Sequence, residues 1–197
     1  MKQIIPPSNC PACMLDLVWE KDQLFCHNTT CSGKTSKKIE HFAKTLKIKG
    51  LGPRTVEKLQ IDSIFDLYEL PLEIMIDALQ SEKLAVKLSR EIESSKTVDL
   101  VELLPAFSIK LIGNTASRKI CSVVKHITDI NEETCDQAGL GPTATENLLD
   151  WLIEEFTNGY DRLPFSFKQK ELLVPKTETK GVVCITGKLK SYKTKAA

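Results

Sequence analysis

IKGLGPRTVEKL at 48–59 has a near-copy later in the chain, AGLGPTATENLL at 138–149. Each opens on Gly-Leu-Gly-Pro and runs on with apolar residues three to four apart, the spacing of an amphipathic helix. Pro53 and Pro142 stand where a first helical turn tolerates a missing N–H. Gly50, Gly52, Gly139 and Gly141 are read as turn residues able to take positive φ. Such a hairpin presents backbone N–H groups at a helix start. That suits an anion, and the repeating anion of biology is a nucleic-acid phosphate. Contacts of this kind ignore base identity, so they position a protein on a duplex without selecting a sequence.

Aligning on the second glycine brings out two weaker copies. KLIGNTASRKI at 110–120 keeps Gly113, followed by Asn114, but has Leu111 in the first glycine position. ALQSEKLAVKL at 78–88 has Leu79 and Ser81 in place of both glycines and retains Ala85. The units recur at roughly 30-residue intervals, as stacked helix-hairpin-helix units do. Helical periodicity is expected over 36–47, 53–60, 62–69, 82–95, 98–105, 114–127 and 143–156. The second unit, lacking glycines, is expected to serve packing.

Charge sharpens the reading. The net charge is +1, yet Lys34 to Lys58 holds eight basic residues against Glu40 and Glu57, while His126 to Asp161 holds nine acids and no Lys or Arg. A local positive field can hold a polyanion on a nearly neutral chain. The candidate DNA contacts are Lys47, Lys49, Gly50, Gly52, Arg54 and Lys58 at the first hairpin, and Lys110, Gly113, Asn114, Arg118 and Lys119 at the third. Gly139 and Gly141 of the fourth sit in the acidic stretch.

Upstream, Cys10-Pro-Ala-Cys13 and Cys26-x4-Cys31 bracket LDLVWEKDQLFC, whose apolar and polar residues alternate around Lys21-Asp22. Four thiolates at the ends of a short β-hairpin suit a closed, structural zinc site. Such a site leaves no open position for substrate. His27 adjoins Cys26 and would strain the tetrahedron. Cys121, Cys135 and Cys184 stand alone and read as small apolar residues. No apolar run reaches the ~18 residues that span a bilayer, and the N-terminus lacks a secretory pattern. The expected chain is soluble and intracellular.

A four-cysteine module followed by four helix-hairpin-helix units resembles the C-terminal half of bacterial-type NAD-dependent DNA ligase. HFAKTLKIKGLGPRTVEKL at 41–59 looks like that family's first hairpin unit, and REIESSKTVDLVELLPAFSIKLIGNTAS at 90–117 like its linker into the third. KGVVCITGKLKS at 180–191 is similar to the opening strand and loop of the BRCT domain that ends those ligases. The expected fold is mainly α: a zinc finger at 1–33, a tandem helix-hairpin-helix DNA-binding domain at 34–160, a linker at 161–179 and an incomplete BRCT-like segment at 180–197. The resemblance implies that zinc and hairpins clamp nicked double-stranded DNA. NAD would be bound by a complementary part carrying the adenylation and oligonucleotide-binding (OB) domains, in the cytoplasm of a bacterial cell or phage-infected host.

No Lys-x-Asp-Gly adenylation motif occurs in the 197 residues. The chain is therefore expected to be inactive alone, as a non-catalytic subunit of a split ligase, with a second polypeptide as partner, or as a truncated gene product. A helix-hairpin-helix glycosylase or nuclease is the enzymatic alternative. It needs a hairpin lysine beside a catalytic aspartate, or an acidic metal site, and neither is recognisable. A zinc-containing interaction scaffold is the third reading.

Overall fold

Alternation in LDLVWEKDQLFC closes into two antiparallel strands, β1 (Leu17–Glu20) and β2 (Gln23–Cys26). Glu20 pairs with Gln23, leaving Lys21-Asp22 as the turn, with Lys21 at φ 56°. The computed structural model describes residues 5–28 and 30–169. The BRCT-like segment, Cys184 and residues 170–179 of the expected linker lie outside them.

Nine α-helices follow among the described residues: α1 (Ser32–Thr45), α2 (Pro53–Lys58), α3 (Ile64–Glu69), α4 (Leu72–Leu79), α5 (Glu82–Ser95), α6 (Leu100–Ala106), α7 (Asn114–Val123), α8 (Glu132–Gln137) and α9 (Pro142–Trp151). The last continues into a π turn at Leu152–Phe156. Helix α1 begins four residues earlier than its apolar spacing predicts, because Cys31 takes the extended N-cap conformation. Helix α7 stops at Val123, short of the expected 127.

Helices α4 and α8 were not foreseen. LEIMIDAL is a short apolar run of eight residues, a length at which periodicity does not separate a helix from a strand. EETCDQ buries only Cys135, and its start is set by a capping box between Asn131 and Thr134.

Helices pair as α1/α2, α4/α5, α6/α7 and α8/α9, with α1 packed on α6 and α7 on α8. This is a four-cysteine β-hairpin followed by tandem helical hairpins, mainly α, as expected. At the centre Phe42 of α1 is fully buried against the rings of Tyr68, Phe107 and Phe165, at centroid distances of 6.3, 5.6 and 6.2 Å.

The helical body does not end at 160. Leu163, Phe165 and Phe167 are buried in the same core, so the first residues of the expected linker form a strap across it. They alternate with Pro164, Ser166 and Lys168, but the segment is bent: Phe165 N–H donates to the Leu163 carbonyl at 2.7 Å, and Phe167 is left-handed at φ 50°. The strap also caps α6. Leu100 N–H donates to the Lys168 carbonyl at 3.0 Å, and Val101 N–H to Gln169 Oε1 at 3.3 Å. These are first-turn donors that a helix cannot satisfy itself.

The other end of α6 is set by Pro105. Without an N–H, Pro105 leaves the Val101 carbonyl lacking its helical donor. Ser117 of α7, buried, donates its hydroxyl to that carbonyl at 2.7 Å. The Pro105 carbonyl in turn accepts from His41 Nε2 of α1 at 2.9 Å. Helix α6 is thus tied to α7 by the acceptor its proline frees and to α1 by a last-turn carbonyl that no helix satisfies itself. Ser117→Ala should lower unfolding stability by about 1–3 kcal/mol, the cost of a buried unsatisfied acceptor, in denaturant titration. Ser117→Thr, which keeps the hydroxyl, should lose less.

Candidate metal centre and nucleic-acid interface

Cys10 and Cys13 sit on a tight turn closed by Met14 N–H to the Cys10 carbonyl and Cys10 N–H to the Leu15 carbonyl, both 2.8 Å. Cys26 ends β2, and Cys31 caps α1. The four Sγ atoms lie within 4.8 Å of one another, with Cys10–Cys31 at 3.8 Å and Cys13–Cys26 at 3.6 Å. A Zn–S distance near 2.3 Å implies sulfur–sulfur edges of about 3.8 Å, so the set fits a tetrahedral ion. The Asn28 side chain, then the Leu15 backbone, hold the Cys13 thiol down at about 6. His27 stays out of the cluster and pairs with Glu20 at 2.9 Å.

Gly33 was not singled out in the sequence, and it matters here. A Cβ on it would lie 2.9 Å from the Ala12 Cβ. Its absence lets the first turn of α1 rest on the Cys10–Cys13 turn, which brings Cys31 into range. The isolated cysteines behave differently. Cys135 is buried, and burial pushes the half-buried Cys121 thiol up to about 11.

The hairpin glycines divide into two kinds. Gly50 and Gly139 take φ 94° and 65°, conformations that favour glycine. Gly52, Gly113 and Gly141 do not take positive φ, contrary to the expectation for Gly52 and Gly141. Each is a helix N-cap in extended conformation, at φ −100°, −99° and −75°. A Cβ on any of the three would meet nothing within 4 Å. None supplies a side-chain cap, which costs only a few tenths of a kcal/mol because glycine is itself a common N-cap. The second hairpin has Ser81 at this position, and its hydroxyl accepts from Leu84 N–H.

The first and third hairpins share one backbone course. Lys47 and Gly50 are left-handed in the first, Ser108 and Leu111 in the third, with Ile48 and Leu51 buried where Ile109 and Ile112 are. A groove of about 920 Å³ runs between them, lined by His41, Lys44, Lys47, Asn114 and Arg118 among others. The third and fourth tips meet in a cleft of about 390 Å³ that includes Gly113, Asn114, Lys119, Gly139 and Gly141. Lys119 Nζ donates to the Gly139 carbonyl across it at 3.2 Å. None of the nine acids of 126–161 lines this cleft.

Lys49, Gly50, Gly52, Arg54, Lys58 and Lys110 lie outside both hollows. The four cations among them are exposed and make no ion pair among the described residues. Lys47 pairs with Glu102 at 3.3 Å, an exposed contact worth at most about 1 kcal/mol. His41 and Lys44 were missed as groove residues. Lys44 lies one helical turn before Lys47, a spacing visible in the sequence.

A thiolate zinc module leading into tandem helical hairpins defines a class of architecture, and the comparisons with known proteins give it a context. The chain is 31% identical to the DNA ligase of Clostridium novyi (strain NT), over 97% of its own length and 31% of that protein. It is 29% identical to DNA ligase 2 of Clostridium acetobutylicum, over 96% of the chain and again 31% of the relative. The chain thus spans about a third of the length of these curated relatives, and its resemblance to the DNA ligases runs along nearly all of it. No protein-family model matches it. Among the described residues no helix is long and apolar enough to cross a membrane.

Purified chain should carry one zinc, and Cys26→Ser should lose it by elemental analysis. Metal binding and folding are coupled in so small a module, so residues 8–33 should also lose protection in hydrogen exchange. The helical core contains none of the four cysteines and should keep its protection.

Proposed function

We propose that the chain is the DNA-holding part of an NAD-dependent DNA ligase, gripping nicked duplex through backbone phosphates while adenylation and OB parts seal the nick. The observation that carries this reading is the set of glycines at 52, 113 and 141. Among the described residues nothing lies within 4 Å of where their Cβ atoms would be. The helix-start N–H groups are therefore open at three equivalent places, and an outside group can approach the backbone there. The exposed cations near the first and third hairpins give that partner its charge. It is a polyanion, and the similarity to DNA ligases supports duplex DNA.

In this reading Lys47, Lys49, Arg54 and Lys58 flank the first contact and Lys110, Asn114, Arg118 and Lys119 the third. The fourth hairpin joins through its cleft with the third, its acids turned elsewhere. The second packs. Zinc is structural and holds the finger on α1. NAD binds the complementary part, which in a split ligase is a second polypeptide, and the assembly works in the cytoplasm. Holding the nick lowers the barrier by positioning, which can contribute several kcal/mol.

Gly52→Val and Gly113→Val should keep helical circular dichroism. Each should weaken binding to nicked duplex about tenfold, equally across sequences, because phosphate contacts carry no base information. Lys49→Ala should reduce the salt slope of binding by up to about one. Full affinity and slope in all three variants would place the DNA surface elsewhere.

The chain alone should form no AMP adduct with labelled NAD. Added to a ligase fragment carrying the adenylation and OB domains, it should raise nick sealing, and the gain should shrink as salt rises. An adduct on this chain by itself would overturn the division of labour.

A further inference from the structure

Leu111 is the hairpin residue with the least internal reason to be there. It takes φ 67° in the position where Gly50 and Gly139 take 94° and 65°. A left-handed Leu is strained, and such strain persists where function asks for it. Its side chain is 60% exposed, so burial returns nothing for the strain. Single exposed leucines are ordinary on protein surfaces, but an exposed leucine in a glycine conformation is not.

The surroundings point to what it meets. Leu111 stands as a ridge between two hollows, one of about 520 Å³ reaching His41 and Thr45, the other the cleft shared by the third and fourth tips. From Phe107 to Lys125 the chain carries Lys110, Arg118, Lys119 and Lys125 and no acid. The apolar tip therefore has Lys110 beside it in the chain, and Lys119 and the open N-cap of Gly113 in the cleft that it lines. Proteins that bind the minor groove frequently insert an apolar side chain and partly unstack a base step.

We propose that Leu111 is an apolar wedge: it enters the minor groove of the duplex held by the third hairpin and loosens the base step beneath it. This rests on the DNA-holding reading above. It adds a deformation term, so affinity should favour flexible or interrupted steps over stiff ones, without base-specific contacts.

The test uses the full chain with nicked duplexes carrying 2-aminopurine at successive positions, read by anisotropy and fluorescence. Unsubstituted chain and Leu111→Met should brighten one position, as unstacking does. Leu111→Gly and Leu111→Asn, both suited to left-handed backbone, should bind about fivefold more weakly without the brightening. Leu111→Gly should melt no lower than the unsubstituted chain. Gly and Asn variants that bind and brighten like the parent would overturn the wedge and leave the DNA-holding reading standing. So would an affinity loss confined to duplexes with a thymine at the contact, which marks a major-groove methyl contact. No binding by the unsubstituted chain would overturn both readings.

Discussion

The hydrogen bonds accepted by the carbonyls of α6 are the constraint on which the arrangement of hairpins depends. A regular α6 would pair the Val101 carbonyl internally. The missing N–H of Pro105 leaves it as an acceptor for Ser117 of α7, while the last-turn carbonyl of Pro105 accepts a hydrogen bond from His41 of α1. The first and third hairpins are thereby held to one another by directional bonds as well as by apolar packing. Phe42 and Phe107, in contact at 5.6 Å, fill the space between them. Hydrogen bonds of this kind contribute only about 1 kcal/mol each in net stability. Their larger effect is geometric, because apolar contacts alone would allow α1 and α6 to slide.

Helix α1 carries this geometry to the metal module. It is capped by Cys31 of the four-cysteine cluster and ends two residues before the left-handed Lys47 that begins the first hairpin turn. Gly33 seats its first turn on the Cys10–Cys13 turn, and Phe42 anchors its middle. The cysteine cluster and the first hairpin are therefore two ends of one helix. A closed four-sulfur site offers a substrate no coordination position, so a metal held there would orient that helix's start.

Much of this was legible in the sequence. The cysteine spacing pointed to the metal cluster, the alternation to the β-hairpin, and the repeated Gly-x-Gly to two of the four helical turns, with Gly113 marking a third. What escaped notice did so for identifiable reasons. Helix α4 is too short an apolar run to be told from a strand, and α8 is too polar to show a period. The strap at 163–169 alternates plainly, but its Pro and Ser read as linker composition until its burial against α6 is seen. Gly33 carries no pattern at all, because its need arises from a neighbour twenty-one positions back, Ala12.

The glycines teach a finer distinction. In the sequence the four glycines of the two Gly-x-Gly pairs look like turn residues, and only backbone angles separate them. Gly50 and Gly139 satisfy the chain's own conformation. Gly52 and Gly141, with Gly113, are N-caps whose Cβ positions are open among the described residues, and so they carry the functional argument. Leu111 is the converse case, a side chain retained where the backbone favours none. Taken together, the tips show side chains removed at the N-caps, where a phosphate would need to approach, and one apolar side chain added between them. A surface that bound phosphates alone would have no reason to keep the leucine. The third tip holds both features within three residues, so it is there that grip and deformation of the duplex would be coupled.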